Sequence, residues 1–363
     1  MNNFFEIDFR DVESSKSGDA ITLRYKQNET SCVHVVDGGY QDTGQGVVGH
    51  IEKYYGNPNY IDHVVVSHPD GDHAGGLRTV LESFKIKNLW MLRPWIYADE
   101  IIHRFSRYSS VENLKKRLRD IYTNLVALED IALERKIPIN EPFQGKMIGE
   151  FCVLAPTKKR YLDLVIQSER TPESPKAGRA AGAGPLTTLL GGAAANALSL
   201  LKADWGEEVF SAEETSAENE MSIIQYACLC EKRIVLTADG GRGALSEAAD
   251  YAQSIGLALP EIDLFQVPHH GSRRNVSTEI LDRWLGPRLP AWMKSGEEKF
   301  TAFISSSKDD NDHPRNAVVR ACIHRGAIVV TTEGKNISNG VNAPFRKEWV
   351  AVTPVQYPEE QEG

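Results

Sequence analysis

The sequence predicts an α/β fold, a sandwich of two mainly β halves with helices between them, and three observations carry the prediction. Runs rich in β-branched and aromatic residues alternate with helical periodicity along most of the chain. IDHVVVSH is almost continuously apolar, as in a strand buried on both faces. Two such alternating stretches flank a segment of different composition, which fits a sandwich better than one doubly wound parallel sheet.

In order, FFEIDFRDV, DAITLRYK and SCVHVVDGG read as strands punctuated by Gly18, Gly38 and Gly39. A helix is expected over about 46–55, then the strand IDHVVVSH, a loop at Gly75-Gly76, the helix LRTVLESF and the strand IKNLWML. Leu114, Leu118, Ile121, Leu125 and Leu128 recur at three- and four-residue spacing, predicting a helical insertion over about 98–136. Composition shifts at Lys158. From there to about 218 the chain is rich in Ala, Gly and Ser and then acidic, which predicts a flexible insertion with at most a short helix near 189–201. Strands and helices then resume: MSIIQYACLC, KRIVLTADGG, a helix near 245–254, IDLFQVPHHGS, a helix over 278–285, AFISSS, a helix over 316–324 and AIVVTTEG. The reading is one domain over 1–363 carrying two insertions.

Composition bounds the function. The 363 residues, 41% hydrophobic and 25% charged, are ordinary for a globular protein able to bury a large core. The first residues lack the pattern of a secretion signal and no run of 18 apolar residues occurs, so a cytoplasmic protein with no membrane partner is expected. Five scattered cysteines suggest neither a zinc ribbon nor a disulfide framework. A net charge of −9 argues against broad adhesion to nucleic acid or anionic membrane.

The chemistry concentrates at strand ends. In SHPDGDHAGG, His68, Asp70, Asp72 and His73 occupy a loop that can turn four side chains to one point. Imidazole with carboxylate is a ligand set for divalent metals, although Pro, Gly and Asp also suit a plain polar turn. Asp37 in VVDGG, Asp239 in LTADGG, and His269 and His270 in VPHHGS likewise follow apolar strands and precede glycine. His34, His50, His63, His103 and His324 fall in helix or strand patterns and read as structural or surface residues.

SHPDGDHAGG resembles the HxHxDH loop of metallo-β-lactamase-fold hydrolases, with Asp70 where the second histidine usually stands. With DAI after Gly18, VVDGG, LAP, ENEMS, LTADGG, VPHHGS and NDHP, the order of blocks from residue 6 to about 335 is similar to the metallo-hydrolase domain of the late competence protein ComEC. No competence-type membrane region is read within these 363 residues. The resemblance implies a four-layer αββα sandwich with a metal site along one edge of the sheets. It implies His68 and Asp70 on a first metal, Asp72 and His73 on a second, Asp239 bridging, and His269 or His270 as the last ligand. ENEMS offers Asn219 and Ser222 where a histidine is usual, and Asp37 would orient a ligand histidine.

The implied cofactors are two divalent ions, manganese or zinc, with magnesium also admissible; the carboxylate at Asp70 favours the harder ions. Such a pair activates a water, which Asp72 would help to orient. Arg273 and Arg274 are the nearest basic pair for phosphate oxygens, or plain solvated surface. His313 would protonate a leaving group, bind phosphate at the following helix N-terminus, or cap that helix. The expected function is a metal-dependent phosphodiesterase or nuclease acting on single-stranded nucleic acid or a nucleotide. The alternatives are hydrolysis of a phosphocholine or lactone ester, or a non-catalytic interaction protein with 158–218 as its partner-binding arm.

Overall fold

The computed structural model describes residues 3–12, 15–27, 29–106, 108–171, 200–293 and 298–363. Strands β1 (Phe4–Phe9), β2 (Ile21–Gln27), β3 (Thr30–Val36), β4 (Tyr60–Val65), β5 (Lys85–Trp90) and β6 (Ile139–Asn140) run side by side in one mixed sheet. In the second, β7 (Met147–Ile148), β8 (Phe151–Ala155), β10 (Ile224–Leu229), β11 (Lys232–Leu236), β12 (Leu264–Gln266), β13 (Phe300–Ile304) and β14 (Ala327–Thr331) are neighbours in that order. Helices flank the two sheets: 44–54, 77–83, 111–121 and 123–134 on the side of the first, 242–254, 278–285 and 316–324 on the side of the second.

The period-2 pattern of β1 shows how the layers join. Phe5, Ile7 and Phe9 face the opposite sheet, where Phe9 stacks on Phe303 at 4.5 Å between ring centroids. Glu6 and Asp8 face the other way and are equally buried. Arg24 donates to Glu6 (2.6 Å), and Arg346, His50 and Tyr55 converge on Asp8 at 2.7–2.9 Å. A charged row is tolerated there because each carboxylate has fixed donors.

Strands β3, β4 and β5 are parallel, as are β11 to β14. The loops after β3, β4, β11, β12 and β13 therefore emerge on a common edge, where the two sheets are stitched by Ile223 N–H donating to Ser67 O (3.0 Å). Close approach needs glycine here: a Cβ on Gly76 would lie 2.0 Å from the Gly38 carbonyl oxygen. Among the described residues no helix is long and apolar enough to cross a membrane.

Three regions differ from the sequence expectation. Composition groups 158–218 as one flexible insertion, yet Lys158–Gln167 is a helix whose N-cap Thr157 accepts from Arg160 N–H (3.2 Å). It buries Tyr161, Leu164, Val165 and Ile166 in the core. At the other end, Leu200–Lys202 (β9) pairs with Glu360–Glu362 (β16), and buried Glu208 is held by Arg325 and His324. The helix expected near 189–201 lies outside the described residues up to 199. Finally, the residues after 335, for which the sequence suggests no element, include Ile337–Val341 (β15), which pairs antiparallel with β1 on the side away from β2.

Candidate metal centre

The common edge gathers the chemistry. After β4, Ser67 and His68 lead into a short helix, Gly71–Ala74, that carries Asp72 and His73. Asp37 follows β3 with φ 58°, and Ala238 before Asp239 has φ 46°. After β12, His269, His270 and Gly271 are all left-handed, at φ 48°, 55° and 85°. A strand continuation would send the two histidines to opposite faces. This turn instead brings both Nε2 atoms toward Asp239, at the expense of about 1–3 kcal/mol per strained residue.

Asp239 stands at the middle with its two oxygens facing different partners. Oδ2 is 3.7 Å from His68 Nε2 and 3.5 Å from His269 Nε2. Oδ1 is 3.2 Å from His73 Nε2 and 3.8 Å from His270 Nε2. Asp70 Oδ2 lies 3.8 Å from His68 Nε2, and Asp72 Oδ2 lies 3.8 Å from His270 Nε2 and 4.0 Å from His73 Nε2. Sequence left His269 and His270 as alternatives; the structure brings in both, one to each oxygen. His269 shares with His68 the side on which the histidine absent from ENEMS was missed.

Each histidine is held by its other nitrogen. His73 Nδ1–H donates to Asp37 Oδ2 (2.8 Å), and His270 Nδ1–H to the Ser305 carbonyl (2.8 Å). Asn275 is fixed by donating to the Asp239 carbonyl (2.7 Å), so its Oδ1 accepts from His269 Nδ1–H (2.8 Å). His68 Nδ1–H donates to Ser67 Oγ (3.0 Å), whose own proton goes to Asp37 Oδ2. For His68, His73 and His270 these partners set the tautomer so that the Nε2 lone pair faces the centre. Nε2 of His68, His73 and His270, and Oδ1 of Asp239, are buried without a hydrogen-bond partner among the described residues. Orphaned acceptors converging on one point are the donor set of a divalent cation, and the residues fit one. Three overlapping sets, Asp72 with His73 and His270, Asp19 with His73 and Asp239, and Asp37 with His68 and His73, each place ligand atoms within 4.8 Å of one another.

The electrostatics agree. Burial opposes charge on His73 and His270, yet Asp239 with Asp37 or Asp72 outweighs it, raising His73 well above the ordinary value and His270 to about 9. Burial, then the neighbouring His73, lowers His68. Burial raises Asp19, whereas for Asp239 it is overcome by the surrounding imidazoles, which hold its carboxyl well below the ordinary range. The carboxylates draw protons onto imidazoles, charge that a bound cation would replace.

Other residues singled out by sequence have different surroundings. Asn219 places its amide 3.1 Å from His269 Nδ1, and Ser222 Oγ is buried without a partner among the described residues. The His313 ring lies 5.5 Å from that of His269, with Nδ1 3.3 Å from Asp310. Phosphate binding at the helix after it is corrected: the N–H groups of Asn316 and Ala317 already donate to Glu362 at 2.9 and 3.1 Å. Arg273 and Arg274, expected to meet substrate, have other partners in the structure. Arg273 donates to the carbonyls of Val209 and Glu362, and Arg274 pairs with exposed Glu213.

Sequence reasoning missed two residues. Buried Asp19 sits 3.7 Å from His73 Nδ1, with Oδ2 accepting from Gln266 (2.8 Å) and Oδ1 unpartnered among the described residues. Its signal was the DAI block. Arg170 donates to Asp70 Oδ1 (2.6 Å) from within the segment of biased composition, where nothing marked it.

Residues 26–106 match the family model described as the metallo-beta-lactamase superfamily. That stretch carries Asp37 and the His68–His73 loop, while Asp239, His269 and His270 come from beyond it. The match covers less than a quarter of the chain; the two mixed sheets flanked by helices form an α/β, metallo-β-lactamase-like fold, and the common edge carries a His/Asp cluster suited to divalent metal. None of the curated proteins compared with it matches. Among solved structures, it is similar to a mutant of CmlA beta-hydroxylase at 9% identity and a TM-score of 0.39, over 93% of this chain and 54% of that one. The chain thus spans about half the length of that hydroxylase. It is similar to the metallo-beta-lactamase SMB-1 bound to 2-mercaptoethanesulfonate at 10% identity and 0.32, over 88% and 92%. A putative metallo-beta-lactamase from Thermotoga maritima follows at 7% identity and 0.29, over 70% and 86%.

Proposed function

We propose that the protein is a metal-dependent phosphodiesterase acting on single-stranded nucleic acid or a nucleotide. One observation carries the metal dependence: the two oxygens of Asp239 each face a separate pair of imidazole Nε2 atoms, with the lone pairs of His68, His73 and His270 directed inward by fixed partners. In this reading His68, Asp70, His269 and Asp239 would hold one ion, and Asp72, His73 and His270, with Asp239, the other. When bound, the pair supplies an acidified water and positive charge for the transition state. Asp72 would orient the attacking water. His313, its Nδ1 held by Asp310, keeps Nε2 to exchange a proton with the leaving oxygen.

The substrate class rests on the similarity of the blocks to the ComEC metallo-hydrolase domain. A cavity of about 390 Å³ opens beside Asp70 and Asp72, and the net charge of −9 disfavours a long duplex held by many phosphate contacts. Protein loaded with manganese is expected to cleave bis(p-nitrophenyl) phosphate or a short single-stranded oligonucleotide. Asp72→Asn should abolish turnover without lowering the melting temperature. Hydrolysis of lactone or phosphocholine esters without phosphodiester cleavage would overturn the reading.

A further inference from the structure

We propose that Arg170 is the anion-binding residue of this site, aimed by buried Glu218 and resting on Asp70 until an anionic group of the substrate enters. The inference rests on the phosphodiesterase reading and deepens it. Arg170 lies just beyond the helix Lys158–Gln167, and its backbone N–H donates to Ser168 Oγ (3.1 Å). Ser168 in turn donates to Glu218, which Tyr122 OH also approaches (3.5 Å). Glu218 is buried, and its Oε1 is 3.9 Å from Arg170 Nε. A buried carboxylate locked by two hydroxyls thus steers one edge of the guanidinium. The other edge reaches Asp70 Oδ1 through Nη1, and among the described residues Nη2 has no hydrogen-bond partner. The side chain is 48% exposed and lines a cavity together with Tyr40, Asp72, Tyr122 and Asn124.

Charge explains why the cavity needs it. Two divalent ions would bring four positive charges, and Asp70, Asp72 and Asp239 would cancel three, leaving little for an anion once the nucleophile is deprotonated. Among the described residues lining the cavity, Arg170 is the only cation, and the remaining ionisable groups there are acids and tyrosines. A planar guanidinium offers paired donors to the non-bridging oxygens of a phosphate, which a lysine or an amide cannot match. Asp70 links this residue to the metals, because its other oxygen faces His68.

The test compares the manganese-loaded full chain with Arg170→Gln and Arg170→Lys, using inorganic phosphate as the probe in titration calorimetry. The manganese content is counted separately. Arg170→Gln should bind as much manganese as the wild type while phosphate affinity falls about ten- to hundredfold, and Arg170→Lys should recover part of the loss. Equal phosphate affinity in wild type and Arg170→Gln would overturn the assignment alone. Loss of manganese in both variants would overturn it in favour of a residue that only positions Asp70. Absence of phosphate binding by the wild type would count against the phosphodiesterase reading itself.

Discussion

Asp37→Asn is the sharpest test of how the centre is built, because the substitution keeps size and shape while removing one acceptor. Asp37 Oδ1 accepts from Ser67 N–H (2.8 Å), and Oδ2 accepts from both Ser67 Oγ–H and His73 Nδ1–H. An asparagine cannot serve all three. If its NH2 faces the Ser67 backbone, two donors oppose each other in a buried site, at about 1–3 kcal/mol. If it faces the other way, His73 must present a lone pair at Nδ1 and carry its proton on Nε2, where it blocks the metal. Ser67 Oγ would then receive a hydrogen bond from the amide and turn its own proton toward His68 Nδ1, reversing that tautomer too. Removing such outer partners typically weakens metal affinity about 10–100-fold, or about 1.4–2.7 kcal/mol. The left-handed backbone at Asp37, φ 58°, suits asparagine equally well, so it does not confuse the result. Manganese affinity from titration calorimetry, with the midpoint of the chelated protein, reads both effects. Affinity within twofold of wild type at an unchanged midpoint would refute the tautomer argument.

Three further outcomes are expected. Burial opposes ionisation of Asp8, but His50 and Arg346 outweigh it and hold its pKa at about 2, below the ordinary 3.8. The folded state therefore binds fewer protons, and about 2 kcal/mol of stability present above pH ~4 should be lost as pH falls through 2; denaturant titrations in which Asp8→Asn shows the same loss would count against it. Ile166→Ala, at a side chain 3% exposed, should cost about 2–5 kcal/mol, so replacing 158–218 by a flexible linker should lower the melting temperature; an unchanged value in both would restore the flexible-insertion view. Wild type should turn over fastest with manganese, and Asp70→His should shift the preference toward zinc; highest wild-type activity with zinc would contradict the role given to that carboxylate.

Most elements were legible because their signals are local. The helix over 278–285 and the one over 316–324 stand where the apolar spacing put them, and the buried run before His68 is a strand with parallel neighbours on both sides. The segment after Lys158 shows where a local average misleads. Thr157 and the spacing of Tyr161, Leu164 and Val165 mark a helix start, but the Ala- and Gly-rich residues further on dominate the composition.

By itself, the sequence determined the strand-and-helix order and the residue types of the centre, since acids and histidines after apolar strands are visible in one dimension. Only the tertiary structure decided the division of labour. That His269 and His270 both reach Asp239 depends on consecutive left-handed residues, and that Asp19 and Arg170 belong beside them depends on segments far apart in the chain meeting at one edge. Arg273 and Arg274, next to the histidines in sequence, are turned to the C-terminal segment and an exposed glutamate instead. Spacing along the chain constrains neighbours within a turn or two, whereas a buried charge takes its partner from whatever element the packing brings against it.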